Sequence, residues 1–131
     1  MKSQMFMKRK KLRKLSPLSA MKRKAWDCFS LWIKERDKWT CFTCGKVDRS
    51  SNTHAGHFVH LDSMDFVKHN VHAQCVSCNQ FKSGNLGVYA VKLDKKYGTG
   101  TAERLIKMGR QYRGLRRADY EKIIDLYRLY A

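Results

Sequence analysis

Four cysteines form two closely spaced pairs. Two residues separate Cys41 from Cys44 and Cys75 from Cys78, and 30 residues lie between the pairs. Two such pairs suit a tetrahedral zinc ion, with Zn–S bonds of about 2.3 Å. The alternative is a chance pair of free-thiol or redox motifs. Because four cysteines leave no open coordination position, we predict a structural zinc that cannot activate water.

All five histidines lie between positions 54 and 72, in the segment that the cysteine pairs enclose. An imidazole titrates near neutral pH, with an ordinary pKa of about 6.5, and therefore accepts or releases a proton under working conditions. Chemistry in this chain is expected from this insert and from the residues just after Cys78.

Short motifs follow one another along the insert. The chain reads Cys41-x-x-Cys44, then His54-Ala55-Gly56-His57-Phe58, then Asn70-Val71-His72-Ala73-Gln74-Cys75-x-x-Cys78-Asn79, then Lys82-Ser83-Gly84-Asn85. Together they resemble an HNH, or His-Me finger, nuclease core with embedded zinc knuckles. The chain is similar, more closely, to the phage recombination endonuclease family called NinG or Rap, over about residues 25–98.

This resemblance implies a ββα unit that grips one divalent metal ion, and activity on branched DNA such as Holliday junctions. By position, His57 matches the general base, and Asn70 matches the central asparagine that holds the base-bearing strand. Asn79 matches the final metal ligand, although an asparagine there could instead cap a helix. His54 is a further candidate ligand, at a place where the family usually shows an acidic residue or histidine.

The residue types suit phosphodiester hydrolysis, which needs an activated water, neutralised phosphate oxygens and a stabilised leaving alkoxide. The imidazole of His57 can take the proton from water. A single Mg²⁺ or Mn²⁺ ion prefers oxygen ligands such as the Asn79 amide. With few anionic protein ligands, we expect this ion to bind weakly until a phosphate adds its charge.

The remaining residues of the insert leave alternatives open. His60 and His69 are read as surface or core residues. His72 either braces the zinc site or contacts phosphate. Asp65 stands where the family tends to have a basic residue, so it is either an extra metal ligand or a lost phosphate contact.

The elements that position these residues follow from periodicity. Apolar spacings of three and four predict a helix over 19–38 capped by Ser19, with Cys28 on its buried side. Short strands and turns are expected over 39–71, a short helix from about residue 76 that ends before Gly84, and helices over 86–96, 101–111 and 118–130. We predict an α+β fold, in which a small zinc-stapled ββα (HNH) core is flanked by an N-terminal helix and C-terminal helices. The domains are a basic arm (1–18), the nuclease core (19–98) and a helical extension (99–131).

The formal net charge is +17, and residues 1–24 hold ten basic and no acidic residues. Such an arm favours phosphate contact over the alternative of a solubilising tail. Basic residues at 104–117 belong to a DNA-binding surface or to a solvated helix face. The tyrosine-rich face of the last helix closes the core or forms a dimer interface. The predicted DNA contacts are Lys82, Ser83, Lys8, Arg9, Lys10, Lys11, Arg110 and Arg113.

Composition also excludes some classes of protein. No run of 18 apolar residues predicts a membrane span, and no glycine-rich phosphate loop is present. We expect a metal-dependent endonuclease for branched DNA in phage-type recombination, in the cytoplasm of a bacterium or infected host cell. Two symmetric cuts would require a homodimer. The alternatives are a general HNH nicking or restriction-like nuclease and a non-catalytic zinc-containing DNA-binding protein.

Overall fold

A computed structural model describes residues 16–130 of the chain. The predicted arm lies mostly outside the described residues, and so do its predicted contacts Lys8, Arg9, Lys10 and Lys11. The described residues form two strands and four α-helices, joined by 3₁₀ and π-helical turns. The expected mixed α+β class is confirmed. No helix in this part of the chain is long and apolar enough to cross a bilayer.

Helix α1 spans Pro17–Arg36. Ser16 caps it, because its hydroxyl accepts a hydrogen bond from Ser19 N at 3.1 Å, and Pro17 occupies the first turn, where no donor is lost. The prediction that Ser19 caps this helix is therefore wrong by three residues, and the predicted arm boundary at residue 18 lies within the helix. Cys28 is fully buried, as its position on the apolar face predicted.

Strands β1 (Thr53–His57) and β2 (Val71–Cys75) pair antiparallel, so that His54 lies opposite Gln74 and Gly56 opposite His72. The other edge of β2 is also covered. Phe42 N donates to Ala73 O at 2.7 Å, and Ala73 N donates to Asp37 Oδ2 at 2.8 Å. All five residues of β2 are therefore buried, and this strand is the centre of the domain.

The segment after β2 begins with a π-helical turn over Ser77–Phe81. Helices α2 (Leu86–Tyr97), α3 (Thr101–Gln111) and α4 (Arg117–Tyr127) follow, and a short 3₁₀ turn spans Arg128–Tyr130. These bounds match the predicted helices to within about one turn. A 3₁₀ turn over Asp62–Met64 interrupts the long loop between the two strands.

The core consists of two apolar clusters. One joins the loop after β1 to α2 and α3, and its buried members include Phe58, Met64, Tyr89, Leu93 and Leu105. The other joins α1, β2 and α4, and its buried members are Cys28, Phe29, Ile33, Val71 and Tyr127. The tyrosine-rich face of α4 therefore closes the core against α1, which removes that face from the choice of dimer interfaces.

Candidate active site

The two cysteine pairs meet in one cluster. The sulfur atoms of Cys41, Cys44, Cys75 and Cys78 all lie within 4.8 Å of one another, and the Cys44 and Cys75 sulfurs are 3.6 Å apart. Four sulfurs around a zinc ion with bonds of about 2.3 Å are separated by about 3.8 Å, so this donor set fits tetrahedral zinc. The cluster would join the knuckle after α1 to the end of β2 and the π-helical turn.

Two cysteines of the cluster have opposite pKa shifts. Burial raises the pKa of Cys41, but hydrogen bonds from the Thr43 hydroxyl and from backbone amides outweigh it and lower the pKa to about 6. Burial, followed by the neighbouring thiols, raises the pKa of Cys44 to about 12. A zinc ion would deprotonate its thiol ligands outright. The protein thus stabilises the Cys41 thiolate before metal binds, whereas a cation would have to stabilise that of Cys44.

The predicted metal ligands His54 and Asn79 lie next to each other. Asn79 Nδ2 is 3.1 Å from His54 Nδ1, although 25 residues separate them in sequence. The cysteine cluster explains this proximity, because Asn79 directly follows Cys78 in the π-helical turn. One imidazole nitrogen and one amide group suit a divalent cation that keeps several waters and takes further oxygens from a phosphate.

Gly56 lies beneath this pair, and only glycine fits there. A Cβ on Gly56 would stand 1.9 Å from Gln74 Oε1 and 3.0 Å from Asn79 Oδ1. The Gln74 side chain is fully buried and donates from Nε2 to Gly84 O at 2.9 Å and to the Thr43 hydroxyl at 3.2 Å. Its Oε1 has no hydrogen-bond partner among the described residues. Two amide oxygens therefore converge on the space that a side chain at position 56 would occupy.

His57 ends β1, and its ring lies against α1. It stacks on Trp26 with ring centroids 4.9 Å apart and an interplanar angle of 17°. Its Nε2 lies 3.1 Å from Asp65 Oδ1. This oxygen is off the direction of an Nε2–H bond, so the buried Nε2 makes no hydrogen bond within the described part of the chain.

Asn70 holds the two ends of the long loop together. It is fully buried; its Oδ1 accepts from Val59 N at 2.8 Å, and its Nδ2 donates to Val59 O and Met64 O, both at 3.0 Å. These bonds fix the chain just after His57 and just before Asp65. Asn70 therefore touches the backbone around the candidate base and does not touch its ring.

His72 is a buried structural residue. Tyr89 donates its hydroxyl proton to Gly56 O at 2.7 Å, so neutral His72 donates from Nδ1 to Tyr89 and accepts at Nε2 from Tyr97. Burial, followed by nearby Arg36, lowers the pKa of His72 to about 2. It stacks on Phe42 of the first knuckle, so it braces that knuckle; its full burial rules out the alternative of a phosphate contact.

The other predicted residues lie on the surface. His60 is exposed, and the exposed His69 stacks on Tyr97. Lys82 and Ser83 are exposed immediately after the π-helical turn, whereas Arg110 and Arg113 are exposed on α3 and on the loop beyond it. Lys82 and Ser83 follow Asn79 by three and four residues along the chain. No hydrogen bond or ion pair of the described residues joins Arg110 or Arg113 to a histidine.

Three residues of this region escaped the sequence reasoning. Trp26 was not expected beside His57, yet it precedes Phe29 by three residues and Ile33 by seven, a helical spacing that signals the same buried side. Gln74 carried no signal, because it reads as an ordinary strand residue. Phe81, which follows Asn79 by two residues, is 81% exposed and precedes Lys82.

These observations define a small α+β domain in which a four-cysteine cluster, suited to a metal ion, joins a two-stranded hairpin to the turn that carries Asn79. The chain belongs to the NinG family, because it matches the family described as bacteriophage lambda NinG protein over residues 1–130.

Curated relatives support this membership. The chain is 36% identical to protein ninG of Salmonella phage P22 over 101 residues, which cover 72% of this chain and 49% of the relative. It is 38% identical to protein ninG of Escherichia phage lambda over 94 residues, or 67% of this chain and 46% of the relative. The chain thus matches about half the length of these phage proteins. No solved structure matches it.

Proposed function

We propose that this protein is a metal-dependent endonuclease of the HNH type that cuts branched DNA. The proposal rests on the contact between His54 and Asn79, 3.1 Å apart, beside Gly56, which directly precedes His57 in β1. The order of two strands and a helical turn, with a four-cysteine cluster at their junction, agrees with the ββα unit that the family resemblance implies. A structural protein has no evident use for this grouping of an imidazole and amide oxygens at the end of a strand.

The two sides of β1 supply different chemical groups. Side chains alternate along a strand, so His54 and Gly56 share one face and His57 lies on the other. A phosphodiester lying along β1 would therefore meet the base at the end of the strand on one face and His54 with Asn79 on the other face. This separation suits a reaction in which water attacks opposite the leaving oxygen.

The residues of the chain have distinct tasks in this mechanism. His57 takes the proton of the attacking water. Trp26 fixes the plane of its ring, and the Asp65 carboxylate, with Oδ1 3.1 Å from Nε2, favours the tautomer that carries its proton on Nε2, which leaves the Nδ1 lone pair free for the proton of the water. His54 and Asn79 would hold the Mg²⁺ or Mn²⁺ ion. When bound, this ion neutralises the scissile phosphate and stabilises the leaving alkoxide.

Exposed residues beside Asn79 suit contact with nucleic acid. Lys82 offers a positive charge to a phosphate, and Phe81 exposes an aromatic face on which an unpaired base can stack. Unpaired or poorly stacked bases occur at branch points more than in a continuous duplex. These two residues therefore favour structured DNA as the substrate.

Cleavage of a labelled four-way junction and of a matched linear duplex tests this function. With Mg²⁺ or Mn²⁺ added, we expect faster cutting of the junction and no cutting without the divalent ion. His57→Ala should lower the rate by about 10²–10⁴-fold, the range for loss of a general base. His69→Ala, which removes an exposed imidazole elsewhere, should cut at the wild-type rate.

The outcomes separate the candidate functions. Metal-dependent cutting of both substrates at equal rates would identify a general HNH nicking nuclease. Tight binding to both without any cutting would identify a non-catalytic DNA-binding protein. Wild-type cutting by His57→Ala would remove His57 as the base.

A further inference from the structure

We infer that Gln74 is a third protein ligand of the divalent cation, through Oε1 and beside His54 and Asn79. This inference rests on the proposed function only for the use of the cation; the binding site is argued from the geometry alone. Neither the cysteine pairs nor the family resemblance singled out Gln74.

The first observation is an oxygen atom without a hydrogen-bond partner. Gln74 Oε1 is buried and makes no hydrogen bond with the described residues, while both bonds of the same amide are made by Nε2. The bond to Gly84 O fixes which end of the amide carries the oxygen, because a backbone carbonyl can only accept a hydrogen bond. A buried carbonyl oxygen held in this way is costly unless something else binds it.

The second observation is the space that this oxygen faces. The position of an ideal Cβ on Gly56 lies 1.9 Å from Gln74 Oε1 and 3.0 Å from Asn79 Oδ1. Both oxygens therefore point at the same side of the Gly56 backbone. Asn79 is in turn in contact with His54. Two amide oxygens therefore lie at this side of Gly56, with no side chain from position 56 between them, and His54 Nδ1 lies beyond them against Asn79 Nδ2.

This donor set selects the class of cation. Neutral amide oxygens with one imidazole suit Mg²⁺ or Mn²⁺ that keeps some of its waters, and they offer no thiolate to compete for zinc. Since all three side chains are neutral, the bound cation would retain its full charge for a phosphate. Gly56 contributes by having no side chain, because the Cβ of any other residue would displace the Gln74 oxygen.

Binding of Mn²⁺ to the zinc-loaded full chain, followed by electron paramagnetic resonance without DNA, tests this inference. Gln74→Met keeps the length of the side chain and removes the oxygen, so we expect weaker Mn²⁺ binding by at least about tenfold. Gln74→Glu places a carboxylate at the same position and should tighten binding by a similar factor, because ligand charge raises the affinity of such sites. Gln80→Met, at an exposed glutamine of the same turn, should bind Mn²⁺ as the wild type does.

The result that overturns the inference is Mn²⁺ affinity unchanged in Gln74→Met while Asn79→Ala loses it. If Gln74→Met does not fold, an affinity that is unchanged or weakened in Gln74→Glu overturns it equally. Failure of the wild-type chain to bind Mn²⁺ also overturns the inference, even if that chain cuts DNA. Conversely, the expected affinities without cleavage of any DNA would uphold this site and refute the proposed nuclease function.

Discussion

At the scale of the residue, the surroundings of His57 come from three distant parts of the chain. Trp26 comes from α1, His57 from β1 and Asp65 from the loop that follows the 3₁₀ turn. The Asn70 side chain anchors that loop through Met64 O at 3.0 Å. Asp65, which the sequence left as either an extra metal ligand or a lost phosphate contact, has its carboxylate 3.1 Å from Nε2 of the candidate base.

This arrangement predicts the tautomer of His57. The carboxylate of Asp65 only accepts hydrogen bonds, so neutral His57 is expected to carry its proton on Nε2. Nitrogen-15 NMR of the imidazole, assigned with His57→Gln, measures this directly. Asp65→Leu should shift His57 toward a mixture of tautomers and lower kcat by about 10–100-fold, as for other groups that orient a functional histidine.

A neighbouring acid supplies the control for this experiment. Asp62 is mostly exposed and pairs with Lys22 at 3.3 Å, so Asp62→Asn should leave the His57 spectrum and kcat unchanged. A wild-type His57 protonated on Nδ1, or the same tautomer in Asp65→Leu, would show that Asp65 does not position the base.

At the scale of the element, a metal ion in the four-cysteine cluster would supply stability that the small sheet lacks. The hairpin of β1 and β2 has two strands, and an isolated two-stranded hairpin is marginally stable. The cluster joins the knuckle, the end of β2 and the π-helical turn, so a zinc ion there would hold Asn79 against β1. Binding of a metal there and formation of this part of the fold would therefore be coupled.

Removing one ligand should uncouple these elements. We expect the purified chain to hold about one zinc ion, and Cys75→Ser to lose it together with much of the thermal stability. Metal analysis and a thermal melt followed by circular dichroism measure both quantities. Cys28→Ala provides the matched control, because it removes a buried thiol in α1 and should cost only core packing while the zinc stays bound. Full stability of zinc-free Cys75→Ser would contradict this role.

At the scale of the whole molecule, a net charge of +17 on 131 residues favours binding to a polyanion, which is the proposed DNA. Acidic side chains neutralise part of the charge on the helices, as in the pair of Glu103 with Lys107, whereas residues 1–24 contain no acidic residue. The predicted dimer stays a prediction. The tyrosine-rich face of α4 does not supply its interface, since that face packs against α1 within the chain.

Binding of DNA should therefore depend steeply on salt. If six or more phosphates are contacted, affinity should fall by about 10³-fold or more between about 50 and 200 mM salt, while the melting temperature barely changes. Glutamine at Lys8, Arg9, Lys10 and Lys11 should reduce the slope of log affinity against log salt by up to about one per residue.

A second variant separates contact from net charge. Glutamine at the four exposed positions Lys46, Lys95, Lys122 and Arg128 removes the same charge from surfaces where we predict no contact, and it should change the slope less. Fluorescence anisotropy of a labelled junction measures both slopes. Equal slopes for the two variants would show that the arm contributes only its charge.

Local signals in the sequence determined much of this protein. The spacing of the cysteines predicted one four-sulfur cluster, and apolar periodicity predicted α3 over Thr101–Gln111 and α2 and α4 to within about one turn. Such signals succeed because a cysteine pair or a helical stripe is encoded by residues that are close together in the chain. The start of α1 was missed because two serines, Ser16 and Ser19, could each have capped it, and only Ser16 does.

Only the tertiary structure decided which distant residues meet. It alone brought Trp26 and Asp65 to His57 and directed the unpaired Gln74 oxygen toward Gly56. It also assigned His72 to a buried network with two tyrosines. The physical reason is that these contacts depend on strand register, on the packing of α1 against the sheet and on the direction of single side chains. None of these is encoded in the spacing of neighbouring residues. The two cysteine pairs, by contrast, are visible in that spacing.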